Sequence, residues 1–453
     1  MRIQKAGIIA VVLALATAGA TQAGVTADQA ARLGKDLTPV GAIKAGNADG
    51  TIPEWTGGIT RPPAGFRSGT FHPDPFAADK PLFAITPANA KDYQAKLTVG
   101  QVAMFAKYKT FKMNVYPTRR SASFSQAVYA ATLKNATTAK SLANGEGVGG
   151  ASLGFPFPIP QNGYDLIWNH KLKYKSTGGM RWSNQVAPTA TGAYTLVRLR
   201  EEFLGPYYKP GNSIESINNI LLYFFQEVVA PARLAGNVLL VHETVNSAAA
   251  PRQAWIYNPG QRRVRRAPNV AYDNPGTASD GLRTNDMTDM FNGAMDRFDW
   301  KLVGSKEMFI PYNDYKAHSN SIKVKDLVRP GHLNPEYIRY ELHRVWVVDA
   351  TLKAGKRHIN GRRTFYLDED SYQIVAIDHY DGRGQLWRYS EAPNINYYEV
   401  PTVWATIETH HDLKSGRYIS GLLDNEEKGP IDFSFQTNAE SFSPQSLRQR
   451  GIR

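Results

Sequence analysis

The chain has 453 residues, a formal net charge of +13 and no cysteine. Without cysteine it can form neither disulfides nor thiolate metal sites, and it cannot carry the lipid that anchors bacterial lipoproteins. Its length is sufficient for a large core, in one big domain or two modest ones.

Residues 1–23 have the layout of a cleavable secretory signal. Two basic residues precede an uncharged apolar run over 6–16, and small residues lead to Ala23. The run is short for a bilayer span, so we expect cleavage after Ala23, or after Ala20, rather than an uncleaved anchor. Export of a chain without disulfides indicates the periplasm of a Gram-negative bacterium.

The positive charge bears on the choice of partner. Cleavage at Ala23 leaves 51 basic and 40 acidic residues, a net charge of +11. Export argues against nucleic acid and leaves lipid headgroups, lipopolysaccharide or acidic small ligands, so an anionic membrane surface is a candidate partner. The same excess is compatible with a role in solubility alone. Since no later run of about 18 apolar residues occurs, no transmembrane helix is expected in the mature chain.

The first part of the mature chain contains predicted helices separated by Gly- and Pro-rich coil. Thr26 can cap a helix with the glutamine three residues later, and Gly34 can end it. A second helix is predicted over about 86–97 and a third over about 99–107. We assign a helix and coil extension to residues 24–235.

Two more segments of this extension have suggestive patterns. Residues 144–160 contain glycines in the G-x-G-x-x-G spacing of dinucleotide sites. The FPFPIP that follows forbids the helix that such a site needs, so a long loop is predicted. Over residues 216–229 apolar side chains recur at helical spacing, Phe224 and Phe225 among them. We predict a helix there that covers a core or forms a lid over an apolar pocket.

From Val238 the sequence changes to short strands separated by turns. Residues 368–371 (DEDS) and 381–384 (DGRG) are typical hairpin connections. Many of the strands are apolar at most positions, which favours a curled antiparallel sheet over a flat sheet with one wet face. We assign this β-meander to residues 236–425 and a C-terminal tail to residues 426–453.

The segment WIYNPGQRRVRRAP, residues 255–268, carries four arginines within five positions. Its central turn indicates a β-hairpin. Strand alternation then places Arg262 and Arg266 on one face and Arg263 and Arg265 on the other. Charges divided between two faces are poorly suited to following a phosphate backbone.

This hairpin and the later run YLDEDSYQIVAIDHYDGRGQLWRYSE resemble the periplasmic lipoprotein carriers LolA and LolB, which have a similar W-x-Y-x-P hairpin. Nearly the whole mature chain is identified as a member of a domain family of unknown function described as outer-membrane lipoprotein-sorting-like. The segments NGYDLIWNH and YELHRVWVVDATLKAGKRHI are among the hallmarks.

The resemblance implies a mainly β, α+β fold in which residues 24–453 form one large LolA/LolB-like domain. Its core would be an unclosed antiparallel β-barrel with covering helices and a long irregular N-terminal region. An apolar cavity between them would take acyl chains. The resemblance also implies an inner-membrane export pump and an outer-membrane β-barrel protein as companions.

Apolar side chains in the predicted strands are candidates for the lining of such a cavity. A ligand pocket is mostly apolar with few polar anchors, although plain core packing would use the same residues. The candidates are Trp255, Tyr257, Trp346, Val348, Phe365, Trp387 and Trp404, with Phe224 and Phe225 from the predicted helix.

Arg119 and Arg120 lie in an irregular segment after a proline. They are interpreted either as structural arginines that bridge carboxylates or as a clamp for a lipid headgroup at the cavity mouth.

Other polar residues offer less. Glu408, His410 and Asp412 share one face of a strand and could hold a metal, but this is also the pattern of ordinary surface on an exposed edge. The acids at Asp368 and Asp370 fall in a turn, where solvated carboxylates are expected. We expect neither a metal nor a cofactor, and none of the familiar hydrolase or phosphate-binding motifs occurs.

Two functions fit these patterns. The first is a periplasmic carrier or binding protein for a lipid, lipoprotein or other hydrophobic molecule, which acts between the inner and outer membranes without covalent chemistry. The second is a hydrolase-type enzyme for a lipid, glycan or aromatic substrate, with acids and histidines that assemble only on folding. The apolar strands and the lack of a catalytic motif favour the carrier.

Overall fold

The computed structural model describes residues 24–450, so the predicted signal sequence lies outside the described residues. The α-helices are α1 (Ala27–Ala30), α2 (Val99–Lys107), α3 (Gln126–Thr138), α4 (Gly163–Leu172), α5 (Tyr315–His318), α6 (Val324–Leu327) and α7 (Pro444–Arg450). Within residues 24–450, none of the helices is long and apolar enough for a bilayer span.

The strands follow one another along most of the chain. The first ten are β1 (Phe83–Ile85), β2 (Met113–Val115), β3 (Lys140–Leu142), β4 (Gly147–Gly149), β5 (Gly178–Val186), β6 (Val197–Leu204), β7 (Ile220–Ala230), β8 (Val238–Thr244), β9 (Gln253–Asn258) and β10 (Arg263–Arg266). The others are β11 (Phe298–Pro311), β12 (Tyr340–Leu352), β13 (Arg362–Asp368), β14 (Ile374–Tyr380), β15 (Leu386–Glu391), β16 (Asn394–Asn396), β17 (Val403–Ala405), β18 (Glu408–Asp412) and β19 (Arg417–Leu423).

Fifteen of these strands form one sheet, in the order β1-β2-β12-β13-β14-β15-β18-β19-β5-β6-β7-β8-β9-β10, with β11 paired to β12. Its neighbours are antiparallel except where β2 meets β12. The order ends at β10 without returning to the first strands, so the sheet is not closed. This confirms the predicted fold class, mainly β with helices and an unclosed antiparallel sheet.

The sheet curls around α4. One hydrophobic core joins Leu166 and Trp168 of α4 to Phe203 of β6, Trp300 of β11 and Phe365 of β13. Strands β6 and β13 are separated by five others in the sheet. They can share a core only because the sheet bends back on itself, and the result is the predicted barrel-like shell with a helix inside.

Helix α2 covers the opposite side of the sheet, and its bounds confirm the sequence prediction. Thr98 caps it in a capping box with Gln101. The carboxylate of Asp378 on β14 accepts hydrogen bonds from the backbone N–H groups of Val99 and Gly100, at 3.1 and 2.8 Å. A carboxylate at the positive end of a helix satisfies donors that have no partner within the helix.

The other N-terminal predictions hold in part. The capping box at Thr26 is present, but α1 ends at Ala30, before Gly34. The predicted second helix is a shorter 3₁₀ helix, Ala90–Lys96. Residues 144–160 contain the short strand β4 before an irregular segment, so the loop prediction is only partly correct.

The predicted helix over residues 216–229 is wrong: most of it is strand β7. Asn218 and Asn219 have left-handed backbones, with φ of 49° and 61°, and turn the chain before the strand. Both faces of β7 carry apolar side chains, so a helical spacing appears by chance among them. Strands β5, β6 and β7 all precede Val238, which corrects the expectation that this part of the chain is only helix and coil.

The arginine-rich hairpin is formed by β9 and β10, as predicted, with Val264 opposite Tyr257 and Arg265 opposite Ile256. Arg262 is not part of the outgoing strand. It lies in the turn with φ of 50°, so only the other three arginines alternate between the faces.

Candidate functional site

A cavity of about 1310 Å³, counted with its open mouth, lies inside the curled sheet. Strands β5 to β8, β18 and β19, the end of α4 and the loop over residues 272–296 surround it. One wall is apolar and includes Leu222 and Phe224 of β7 and Leu239 and Val241 of β8. This wall can receive a hydrophobic molecule.

The wall strands are apolar on their outer face as well. Phe225 and Leu240 point away from the cavity and pack with Tyr257 against Phe442 and Leu447 of the C-terminal segment. We call this set the outer cluster. The chain itself covers the outer face of β7–β9, whereas the inner face lines the cavity.

Charged side chains form the other side of the cavity, in contrast to the apolar cavity that the resemblance implied. Arg181 of β5 pairs with Glu201 of β6 at 2.5 Å, and Gln226 of β7 donates to the same carboxylate at 2.6 Å. Both Lys171 and Arg252 pair with Glu243 of β8. We call this side the polar wall.

Asp289 of the 272–296 loop is the most heavily shared acid of the polar wall. Lys175 lies 2.7 Å and Lys173 3.5 Å from its carboxylate, and the indole N–H of Trp404 donates to it at 2.9 Å. The two lysines hold the pKa of Asp289 well below its ordinary value despite burial. Burial lowers the pKa of Lys173 to about 7.

Among the described residues of the polar wall, Arg283 and Glu408 differ from these pairs because neither has a close partner of opposite charge. Within residues 24–450, Arg283 has no carboxylate within 4.0 Å, and its guanidinium donates only to the hydroxyl of Thr288, at 3.0 Å. Nε2 of His410 lies 3.9 Å from the carboxylate of Glu408, and burial lowers the pKa of this imidazole well below its ordinary value. Burial, and then Asp289, raises the pKa of Glu408 to about 7.

A row of polar side chains runs along the sheet away from Glu408. Ser390 bridges His410 and His379, with its hydroxyl 2.8 Å from Nδ1 of His410 and 2.9 Å from Nε2 of His379. A serine, a histidine and an acid are thus neighbours, as in hydrolases. In this row the acid and His410 line the cavity while Ser390 is fully buried beside them, so the hydroxyl is not presented to a substrate.

The predicted lining residues are dispersed over the fold. Phe224 and Trp404 line the cavity. Phe225, Trp255 and Tyr257 lie in the outer cluster. Trp346, Val348 and Phe365 belong to the core around α4, and the half-buried Trp387 donates its indole N–H to Asp412, away from the cavity.

Arg119 and Arg120 lie away from the cavity and pair with acids. Arg119 forms two hydrogen bonds to Asp79, at 3.0 and 2.7 Å. Arg120 is buried and forms two to Asp370, at 2.8 and 2.7 Å, while also donating to backbone carbonyls. These contacts fit the interpretation of Arg119 and Arg120 as structural arginines that bridge carboxylates.

Two expectations about acids are wrong. Asp368 and Asp370 form the predicted hairpin connection but are buried, because the N-terminal coil covers this turn and supplies Arg120. Burial raises the pKa of Asp368 to about 6. Strand β18, which carries Glu408 and His410, is buried over its whole length instead of being an exposed edge.

In the described part of the chain, the group of side chains that could hold a metal is His343, Asp368 and Asp370, not the set on β18. The carboxylate of Asp370 is already bound by Arg120 through two hydrogen bonds. The imidazole of His343 bonds to Glu341 at 2.9 Å. These ion pairs and hydrogen bonds within the chain account for the grouping of the three side chains.

Sequence patterns did not single out the polar wall. The segment KLKYK places Lys171, Lys173 and Lys175 at alternate positions, which could have indicated one shared face. Arg283 and Asp289 gave no local signal, since they come from a loop of irregular sequence. Their importance depends on contacts with strands more than 100 residues away, such as that between Asp289 and Trp404.

The molecule is thus an open antiparallel β-sheet curled around a helix, with an internal cavity that is apolar on one side and charged on the other. Residues 84–448 match the family described as a protein of unknown function, DUF1329. The chain belongs to this family. It is 51% identical over 432 residues to an uncharacterized protein, PA3922, of Pseudomonas aeruginosa, a match that covers 95% of both chains.

Three solved structures resemble parts of the fold, each covering 63% of this chain. A protein from Vibrio parahaemolyticus described as an outer membrane lipoprotein-sorting protein domain has a TM-score of 0.43, with 12% identity and 97% of its own chain covered. A DUF1329 family protein from Desulfovibrio piger has a TM-score of 0.44, with 13% identity and 97% covered. A LolA superfamily protein from Nitrosomonas europaea has a TM-score of 0.37, with 11% identity and 98% covered.

Proposed function

We propose that the protein is a periplasmic carrier or binding protein that sequesters a hydrophobic molecule, such as a lipid or the acyl chains of a lipoprotein, inside the curled sheet. The observation that carries this proposal is the cavity inside the curled sheet with its apolar wall on β7 and β8. Apolar ligands gain free energy on leaving water for such a wall, and no covalent step is required.

The cellular setting of the proposal is exchange between the inner and outer membranes. An inner-membrane export pump and an outer-membrane β-barrel protein are the partners that the family resemblance implies. A chain whose first residues resemble a secretory signal should be recovered from the periplasm, and N-terminal sequencing should find it beginning at Gly24 or Thr21. A purified cytoplasmic form that retains Met1 would contradict this setting.

Binding can be measured with N-phenyl-1-naphthylamine, an uncharged probe that fluoresces in apolar surroundings. We expect saturable binding with one probe per chain, and displacement by linear alcohols. Burial of a methylene contributes about 0.8 kcal/mol, so two further carbons should improve displacement about tenfold until the cavity is full.

Leu239→Asp should weaken this binding because it places a carboxylate in the apolar wall. Leu82→Asp is the matched control, at a side chain that is 64% exposed and remote from the cavity lining. Circular dichroism establishes that both variants are folded. Equal probe affinity in both variants, or no dependence on alcohol length, would remove the proposed function.

A further inference from the structure

The charge arrangement of the polar wall bears on the chemistry of the ligand. The cavity is lined by five cationic side chains, Lys171, Lys175, Arg181, Arg252 and Arg283, and by four carboxylates, Glu201, Glu243, Asp289 and Glu408. A cavity that held only hydrocarbon would gain nothing from charges at its surface, because their desolvation is costly. The charges therefore have a role that apolar binding does not explain.

Most of these charges neutralise one another. Glu201 is bound by Arg181, Glu243 by Lys171 and Arg252, and Asp289 by Lys175. Each of these acids accepts at least one short contact from a cation. These ion pairs form a frame whose four cations outnumber its three acids by one, but each cation is already paired with a carboxylate.

Arg283 lies outside that frame. Its backbone carbonyl accepts hydrogen bonds from the N–H of Gly276 at 2.9 Å and the hydroxyl of Ser279 at 3.0 Å, so the loop holds the residue in place. Its guanidinium lines the cavity and has one neutral side-chain partner, Thr288, among the described residues. A guanidinium has five N–H donors, which leaves donors available for a planar or tetrahedral anion.

We infer that the cavity takes an amphiphile with an anionic group, which is bound by Arg283 while the apolar part of the ligand lies against β7 and β8. The inference rests on the proposed function and names the class of its ligand. The anionic group is a phosphate or a carboxylate, the two groups that a guanidinium fork fits.

Glu408 gives the site a dependence on pH. The charged groups that face it are Arg181 of β5, Glu201 of β6, Lys173 after α4, and Arg283 and Asp289 of the loop. On its own strand lies His410, whose pKa burial lowers well below its ordinary value. When Glu408 is ionised, its charge offsets that of Arg283 and repels a second anion. When it is protonated, near and below pH 7, the guanidinium is left for the ligand.

The test uses two probes with the same aromatic body. 1-Anilinonaphthalene-8-sulfonate carries a sulfonate that stays ionised from pH 5 to 8, and N-phenyl-1-naphthylamine has none. Arg283→Gln should weaken binding of the sulfonate probe about tenfold, or 1.4 kcal/mol, and leave the neutral probe within about twofold. Arg283→Lys should retain part of the affinity, and Arg383→Gln, in the exposed 381–384 turn, is the matched control.

Glu408→Gln separates the role of the acid from other groups that titrate, Lys173 included. At pH 8 the variant should bind the sulfonate probe about tenfold more tightly than the wild type, and at pH 5.5 the two should agree. Glu440→Gln, at an exposed position, should behave as the wild type at both values. A variant that gains nothing at pH 8 would overturn the role of Glu408.

Competition distinguishes the source of the anion. Decyl phosphate and decanoate should displace the sulfonate probe, and the tighter of the two identifies the group. Inorganic phosphate should not displace it at the same concentration, and equal displacement would overturn the assignment to an amphiphile. If Arg283→Gln affects both probes equally or neither, the anionic inference fails while the carrier stands. If the neutral probe does not bind the wild type, the proposed function itself fails.

Discussion

The two faces of strands β7–β9 both carry apolar side chains, but only the outer face is covered by another segment of the chain. On the outer face Phe225 and Leu240 are 1% and 0% exposed, because the C-terminal segment packs over them. On the inner face Phe224 and Leu239 are partly exposed and line the cavity. The difference lies in what covers each face, since the sequence places apolar side chains on both.

The cover of the outer face is specific. The ring of Phe442 stacks on Tyr223 at 5.7 Å, and its backbone carbonyl accepts from the imidazole of His242 at 2.7 Å. Arg450 lies 4.4 Å over the ring of Phe225 and pairs with Glu202 at 2.7 Å. Apolar and ionic contacts are thus combined on one short segment, which covers the outer face while the inner face stays open to the cavity.

Removal of residues 438–453 should produce the largest effect. Phe442 and Leu447 are 1% and 0% exposed, and each contributes about 1.5–3 kcal/mol by burial. We expect the free energy of unfolding to fall by about 3–6 kcal/mol and the outer face to bind apolar probes. Urea denaturation measures the loss. An unchanged midpoint would mean that this segment does not cover the sheet in solution.

Substitution of adjacent phenylalanines compares the faces directly. Phe225→Ala should cost about 3–5 kcal/mol, as expected for a fully buried aromatic side chain. Phe224→Ala should cost about 1–2 kcal/mol, since its ring already borders open space, and should weaken binding of the uncharged probe. Equal losses of stability for the two variants would show that the inner face is as tightly filled as the outer one.

Glu408→Gln should change how the free energy of unfolding depends on pH. The folded protein retains the proton of Glu408 up to about pH 7, whereas the unfolded chain releases it near its ordinary value of 4.5. Wild-type stability therefore falls as pH rises through this range, and the amide removes that loss. The variant should gain about 3 kcal/mol over the wild type between pH 4.5 and pH 8. Parallel stability curves for the two proteins would contradict this.

The smallest effect is expected at the hairpin edge. Arg266 is on the outer face, 5.7 Å over the ring of Trp255, so Arg266→Gln should cost about 0.5 kcal/mol. Arg265 is on the inner face and exposed, and Arg265→Gln should leave the free energy of unfolding unchanged within error. Thermal unfolding of both variants at matched salt provides the measurement. A larger loss for Arg265→Gln would reverse the assignment of faces.

Local signals predicted what local contacts determine. The capping box at Thr26 and the two hairpin connections were correct because each depends on residues a few positions apart. Strand β7 was mistaken for a helix because the C-terminal segment buries its outer face, and that cover comes from more than 200 residues away. With both faces apolar, the alternation that normally reveals a strand is absent.

The candidate site was predictable only in its broad character. An apolar enclosure follows from strand composition, and Phe224 and Trp404 do line it. The polar wall was not foreseen as a unit, although Glu408 was considered as a metal ligand, because its members come from α4, several strands and separate loops that meet only in the folded chain. Buried acids at Asp368 and Glu408 show the same limit: their sequence positions suggested solvent, while distant segments cover them.

The arginine stripe at β10 has a consequence for how copies of the molecule behave toward one another. This strand ends the sheet order, so its outer backbone groups could pair with a strand from a second molecule. It is only four residues long, and Arg263, Arg265 and Arg266 are exposed along it. A second copy would bring the same positive charges to the same edge. The stripe therefore discourages edge-to-edge aggregation at the point where an open barrel is most vulnerable to it.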